Sequence, residues 1–257
     1  MQQDLTTPDY WDEHHSAKPS AAGGLRAWVR HRLRDQHADL LQQLLDTPGK
    51  DGASVLEIGC APGTMIELMH RLRPGFRYSG IDYATEALEE TRQRLASRGI
   101  QADLYEGDVR EFRPPRPFDL VVSFGLVEHF DDPVPMVQCH ARCAAPGGMV
   151  AVTVPNYATP RAQRILLAHL APQAFQTHNL AIMDPAALMR VLEAAGLKDV
   201  RAGSGTGAQF YTGGRASGPA ARAYLLGARA WNVAAACLPP VRHLWGCRIW
   251  ATGRVPG

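Results

Sequence analysis

Between residues 25 and 46, apolar side chains recur at Leu25, Trp28, Val29, Leu33, Leu40, Leu41, Leu44 and Leu45. Spacing by threes and fours predicts an amphipathic helix with one buried stripe. Arg26, Arg30 and Arg34 fall on another face, which reads as a solvated one. Further along, the period changes. "SVLEIG" is a short apolar run of the kind that forms a buried strand, and "TMIELMHRL" after it has helical spacing. "FRYSGID" predicts a second strand, followed by the helix "TEALEETRQRLAS" with Thr85 as N-cap and Gly99 as its stop. "ADLYEGDV" and "FDLVVSFG" predict strands three and four. Asp132 and Pro133 open a helix that runs towards Gly147 and Gly148, and "MVAVTVPN" is a fifth strand. Asp184 and Pro185 repeat the start signal for a helix that Gly196 ends. "KDVRAGSG" and "LWGCRIWATGRV" predict two last strands.

Strands alternating with helices of this length predict an α/β fold, a doubly wound and mostly parallel sheet with helices on both faces. Residues 1–48 stand apart as an N-terminal lid or helical segment, and 49–257 form the main domain. Insertions near 155–183 and 209–240 are the expected pocket walls, because open sheets bind ligands beyond the carboxyl ends of their strands.

Composition changes this picture little. The chain has 257 residues, a net charge of +2 and 46% hydrophobic residues, ordinary for a globular protein. A charge so mild gives no reason to expect nucleic acid or an anionic membrane as partner. The cysteines, Cys60, Cys139, Cys143, Cys237 and Cys247, are odd in number and form no CxxC pair. A disulfide framework is not expected, and a reducing, cytoplasmic location fits. Cys139, His140 and Cys143 lack a second Cys/His pair that would complete a zinc set. No leader or membrane-spanning run is evident, so stable membrane insertion is not expected.

The chemistry starts at "VLEIGCAPGT", Val55 to Thr64. A strand, then glycines, then a helix makes a turn that can cradle a ligand. A dinucleotide fingerprint would need glycine where Ala61 and Thr64 stand, and no Gly-Lys-Ser/Thr follows for a P-loop. Glu57, Gly59, Ala61 and Gly63 instead fill an acidic-x-G-x-G-x-G frame with one alanine replacement. A carboxylate there suits a cationic ligand and would repel a pyrophosphate. Asp82 closes the second strand, where a carboxylate can accept both hydroxyls of a ribose.

These landmarks resemble class I S-adenosylmethionine-dependent methyltransferases, and "EGDV", "FDLVVSFGLVEHFDDP" and "APGGMVAVTVPN" continue the resemblance in order. It implies a Rossmann-like methyltransferase fold of seven strands with an antiparallel last strand. It also implies S-adenosylmethionine as cofactor. Glu57, Gly59, Cys60, Ala61 and Gly63 would then line its methionine part, and Asp82 with Tyr83 its ribose. Asp108 would meet the adenine amino group and the Val109 N–H a ring nitrogen, with Ser123 on the fourth strand nearby. "LVEHFDDP" and "THNLAIMDPAAL" are similar to the ubiquinone-biosynthesis O-methyltransferases and related small-molecule enzymes. Some of those hold a divalent metal with a further glutamate three residues before the Glu-His pair. Gly125 stands there, so no metal is expected. Tyr10 and Trp11 resemble that group's N-terminal lid.

The implied reaction is methyl transfer to a small-molecule acceptor, at oxygen. A hydroxyl acceptor must lose a proton, and histidine is the natural base. His129 and His178 are the candidates, each with a plain structural alternative: a partner for Glu128, and a loop anchor. His14, His15 and Tyr211 are weaker ones. An RNA or protein methyltransferase and a non-catalytic binding protein remain as other readings. The former is disfavoured because only Lys18, Lys50 and Lys198 occur, none on a suitable strand end. A homodimer is a further expectation.

Overall fold

The computed structural model describes residues 4–6, 38–46, 51–157, 176–205, 210, 218–237 and 248–257. The start of the predicted N-terminal helix, Tyr10, Trp11, His14, His15 and Tyr211 lie outside them. Seven strands form one sheet: β1 (Ser54–Ile58), β2 (Arg77–Asp82), β3 (Ala102–Glu106), β4 (Phe118–Phe124), β5 (Ala144–Pro155), β6 (Lys198–Ser204) and β7 (Arg248–Arg254). Their spatial order is β3-β2-β1-β4-β5-β7-β6. The first five run parallel, and β7 pairs antiparallel with both β5 and β6.

The helices are α1 (Ala38–Asp46), α2 (Thr64–Leu72), α3 (Thr85–Ser97), α4 (Val134–Cys143), α5 (Pro185–Ala194) and α6 (Pro219–Cys237). One apolar layer joins Leu41 and Leu45 of α1, Ile66 and Met69 of α2 and Leu88 and Leu95 of α3 to Val55, Leu120 and Val122 of the sheet. The other joins Val137 and Cys143 of α4 and Leu188 and Leu192 of α5 to Leu56, Val121, Val150 and Val152. β1 is buried along its whole length and β4 from Leu120 to Ser123, which is why both read as largely apolar runs.

Three boundaries differ from expectation. Thr85 is the first helical residue of α3, with Ala84 as its cap, and the Thr85 hydroxyl donates to the Glu106 carboxylate at 2.8 Å. α4 stops at Cys143, and β5 starts at Ala144, because Ala144 pairs with Phe118 before a bulge resets the register at Leu120 and Met149. Pro133 is the cap of α4, with Asp132 accepting from Val134 N–H at 3.1 Å. Asp184 caps α5 as expected, accepting from Ala187 N–H at 3.0 Å.

Candidate active site

The chain crosses over between β1 and β4, which are neighbours despite two strands between them in sequence. Such a switch point leaves a crevice at the carboxyl ends of the strands. The glycine loop fills one side of it. Gly59 N–H donates to Ile81 O at 2.9 Å and Gly63 N–H to Cys60 O at 2.7 Å, so the loop turns tightly onto β2. Gly63 caps α2 with φ 79°, and a Cβ there would lie 2.8 Å from Thr91 Cγ2 on α3. Only glycine meets both demands. Cys60 points into the core, where a Cβ on Gly80 would lie 2.6 Å from its sulfur. Burial first, then the charges of Glu57 and Asp82, push its thiol well above the ordinary range. Cys60 is therefore a packed, protonated thiol, and only its backbone borders the loop.

Glu57 is buried at 3% exposure, and its Oε2 has no hydrogen-bond partner. Burial, then the charge of Asp82, holds its carboxyl well above the usual carboxylate range. A buried acidic oxygen without a donor, beside a second carboxylate, is a site that a cation would relieve. Asp82 accepts from Ala61 N–H at 3.0 Å through Oδ2 and from Ala84 N–H at 3.1 Å through Oδ1. It thus splints the glycine loop, and each oxygen keeps lone-pair capacity for a further donor.

Asp108 is less accessible than its position after β3 suggested. Arg110 donates to it from the backbone at 2.8 Å and from Nε at 3.0 and 2.8 Å, with Nη2 at 2.5 Å. Burial works to raise this carboxyl, and the Arg110 hydrogen bonds and charge outweigh it, holding it below its ordinary value. Arg110 Nη1 also reaches Asp4 Oδ2 at 2.9 Å. Asp4 makes a β-bridge with Phe130, and Leu5 N–H donates to His129 O at 2.9 Å. Residues 4–6 therefore lie across the crevice from Arg110 to His129. Arg142 Nη2 donates to the carbonyls of Val109 and Arg110 and anchors the same loop. Tyr83 is half-buried beside it, its phenol raised by burial and then by Asp82, Asp4 and Asp108. Sequence reading missed Arg110, Asp4 and Arg142. The adjacency of Arg110 to Asp108 in "DVR" was the one local signal.

His129 ends a 3₁₀ turn, Val127–His129, just after β4. Its Nδ1 lies 2.6 Å from the carbonyl of Thr177. A carbonyl can only accept, so Nδ1 carries the proton and Nε2 is the basic nitrogen of the neutral ring. Its Nε2 lies 4.0 Å from Glu128 Oε1, within ion-pair reach and beyond a hydrogen bond, so the alternative of a Glu128 partner stays open beside that of a base. His178 packs against His129 with ring centroids 4.5 Å apart and planes tilted by 55°, and the Tyr157 ring lies 5.2 Å from that of His178. Thr177 Oγ1 holds His178 Nδ1 at 2.9 Å. Asn179, also missed, clamps this segment down: its N–H donates to Glu128 O, and its Nδ2 to the carbonyls of Phe130 and Asp131. Glu128 is buried, with Oε2 unpartnered and its carboxyl pushed up to about 8 by burial.

Among the described residues, Glu128, His129 and His178 form the one acid-histidine group that could share an ion, with ligand atoms within 4.8 Å of one another. Cys139, His140 and Cys143 do not converge; His140 is a core residue donating to Met136 O at 2.8 Å and held at a pKa of about 4 by burial. Ser123 is fully buried with an unpartnered Oγ, so its side chain faces the core behind the crevice.

Residues 29–202 match the family described as "Methyltransferase domain". The chain belongs to the class I S-adenosylmethionine-dependent methyltransferases. It is 29% identical over 175 residues to a trans-aconitate 2-methyltransferase of Streptomyces avermitilis, covering 65% of this chain and 64% of that protein. It is 35% identical over 104 residues to a ubiquinone biosynthesis O-methyltransferase of Klebsiella pneumoniae, covering 40% and 42%. Both matches span less than two thirds of the relatives' own lengths. In fold the methyltransferase resembles SibL in its apo form (TM-score 0.59, 17% identity, 96% of this chain and 62% of that one). It also resembles the N-methyltransferase NodS from Bradyrhizobium japonicum (TM-score 0.53, 18% identity, 88% and 97%). The family's cofactor is a cation, and the unpartnered Glu57 oxygen in the glycine-loop crevice fits it.

Proposed function

We propose that this methyltransferase moves a methyl group from S-adenosylmethionine to a hydroxyl oxygen of a small-molecule acceptor. The observation that carries this reading is the hydrogen bond from His129 Nδ1 to Thr177 O, which puts the ring proton on Nδ1 and makes Nε2 the basic nitrogen of a buried histidine just after β4. The relatives named as O-methyltransferases support oxygen as the accepting atom. When bound, the cofactor supplies a methyl group on a sulfonium, activated for in-line displacement.

The chain's own residues then do four things. Glu57 balances the ammonium charge, and the Gly59–Gly63 loop, with the Cys60 and Ala61 backbone, packs against the methionine part. Asp82 receives the ribose hydroxyls while splinting that loop. Asp108 and Val109 hold the adenine edge, with Arg110 sharing Asp108, Tyr83 flanks the ribose beside Asp82, and Ser123 backs the pocket. His129 takes the acceptor's proton at Nε2, and His178 with Tyr157 forms the wall that aligns it. Alignment provides most of the rate, since the leaving group needs no help. The base adds a pH-dependent part.

Labelled cofactor offered with a panel of hydroxyl, carboxylate and amine acceptors tests the proposal. Label transfer to hydroxyl compounds, with a rate that falls below neutral pH, is the expected result. Transfer only to RNA, to protein or to amines overturns it, as does cofactor binding without transfer to any class.

A further inference from the structure

The net charge of +2 conceals a segregation. From residue 200 to residue 257 there is no aspartate or glutamate, while Arg201, Arg215, Arg222, Arg229, Arg242, Arg248 and Arg254 all lie there. The preceding residues therefore hold all 25 acidic side chains of the chain and only part of its 27 basic ones. α6 stands inside this acid-free stretch. Its inner side is fixed: Ala228, Asn232 and Ala235 are buried, and Asn232 exchanges two hydrogen bonds with the backbone of Phe210 at 2.9 and 3.0 Å. Its outer side is Ala223, Leu226, Gly227, Ala230 and Ala234, all exposed, with Arg222 and Arg229 also exposed. Two large apolar side chains stand out as exposed among the described residues, Leu226 at 72% and Trp231 at 37%. Both are on α6.

A solvated helix face usually carries charges of both signs, or polar side chains. This one carries neither acids nor amides outward. It presents a smooth apolar strip, one protruding leucine, a tryptophan at its flank and arginines. That combination matches the boundary of an anionic bilayer, where arginine meets phosphate, tryptophan sits at headgroup level and leucine enters the acyl region. Nucleic acid would use the arginines and leave Leu226 in water. We propose that α6 is a peripheral docking face for anionic phospholipid. The helix lies on the surface and does not cross it, and no helix among the described residues is long and apolar enough to span a membrane. This inference is independent of the acceptor assignment, because α6 carries none of the residues given a role in transfer.

The test is flotation of the full chain with vesicles of phosphatidylcholine alone or with phosphatidylglycerol added. Binding to the anionic vesicles, weakened by salt and absent from the neutral ones, is expected. Leu226→Glu lowers the partition at least tenfold, the scale of losing a buried leucine and adding a repelled charge. Arg222→Gln and Arg229→Gln lower it about fivefold each. Cofactor-product binding, unchanged in all three variants, shows that they fold. No binding to anionic vesicles, equal binding to neutral ones, or full binding by Leu226→Glu overturns the proposal. So does sedimentation showing that Leu226 is instead buried in a dimer, or retention of RNA in place of vesicles.

Discussion

The two sides of the crevice, the one proposed to hold the cofactor and the one proposed to meet the acceptor, are assembled by different rules. On the cofactor side, Glu57 lies in β1, Asp82 ends β2, and Asp108 follows β3 by two residues. Each is placed by the strand that carries it, and the parallel register of β1 with β2 sets Glu57 opposite Gly80. On the acceptor side, His129 takes its orientation from Thr177, 48 residues along the chain. Asn179 then clamps that distant segment to Phe130 and Asp131. One half is a property of the repeat; the other exists only when two remote segments dock. Damage should therefore separate: changes on the acceptor side cost turnover and spare cofactor affinity, and changes on the cofactor side do the opposite.

The largest effect is expected from His129→Asn. Turnover falls by roughly 10²–10⁴-fold, the scale of a positioned base, with the cofactor dissociation constant unchanged. His178→Asn is milder and raises the acceptor KM. Single-turnover rates beside calorimetry with the demethylated product make the comparison, and a full rate in both variants removes histidine from the mechanism.

Asp82→Ala comes next. Loss of charged hydrogen bonds weakens the cofactor by about 1.5–3 kcal/mol. Because Asp82 also accepts from Ala61 and Ala84 N–H, the fold loses stability too. Asp82→Asn, which keeps one acceptor, recovers part of the melting temperature without recovering the affinity. If both variants melt like the wild type, the splint is not real.

Asn179→Ala probes the clamp. Removing the side chain that donates to two carbonyls lowers kcat/KM about tenfold, the cost of roughly one lost hydrogen bond and one unsatisfied partner. Cofactor affinity is untouched. A weaker cofactor with normal acceptor kinetics would reverse the assignment of the two sides.

Glu57 gives a subtler signature. Its carboxyl sits well above the carboxylate range in the unliganded protein, from burial first and Asp82 second. A bound ammonium lowers it, so binding favours the ionised form and releases a proton. Affinity for the demethylated product therefore rises with pH until Glu57 ionises unaided, and titrations in buffers of different ionisation enthalpy show the release. Glu57→Gln abolishes the slope. The smallest effect is expected from chelators. Glu128, His129 and His178 converge, but Gly125 stands where a further ligand would be needed and supplies none. Activity persists in EDTA; loss with EDTA and recovery with magnesium would mean that the three residues hold an ion.

What could be read from the chain follows the same division. The succession of strands and helices, the glycine loop and the place of Asp82 at the end of β2 were legible because each depends on neighbours in sequence, whereas the antiparallel end was implied by the family resemblance alone. The Asp184 cap was legible for that reason as well. Thr85 failed as a cap because Glu106 on β3 captured its hydroxyl. The early start of β5 depends on Ala144 meeting Phe118. The clasp of Asp108, Arg110 and Asp4 joins residues 106 apart, beyond any local pattern. Whole-chain charge conceals a feature of another kind, since an average cannot report that every acid lies before residue 200.

The position of β7 bears on how the protein is made. It is the seventh strand in sequence, yet it lies between β5 and β6 and pairs with both. While a ribosome is still adding residues 205 to 247, β5 presents an open edge of Val150, Val152 and Val154, and β6 has nothing to lie against. An apolar edge of that kind is a template for mispairing with other chains. The first five strands can assemble as they emerge, whereas closure of the sheet waits for Arg248–Arg254. Vectorial synthesis thus leaves this domain a vulnerable interval that a chaperone would cover, and stalled or shortened products ending before β7 should be the ones that aggregate.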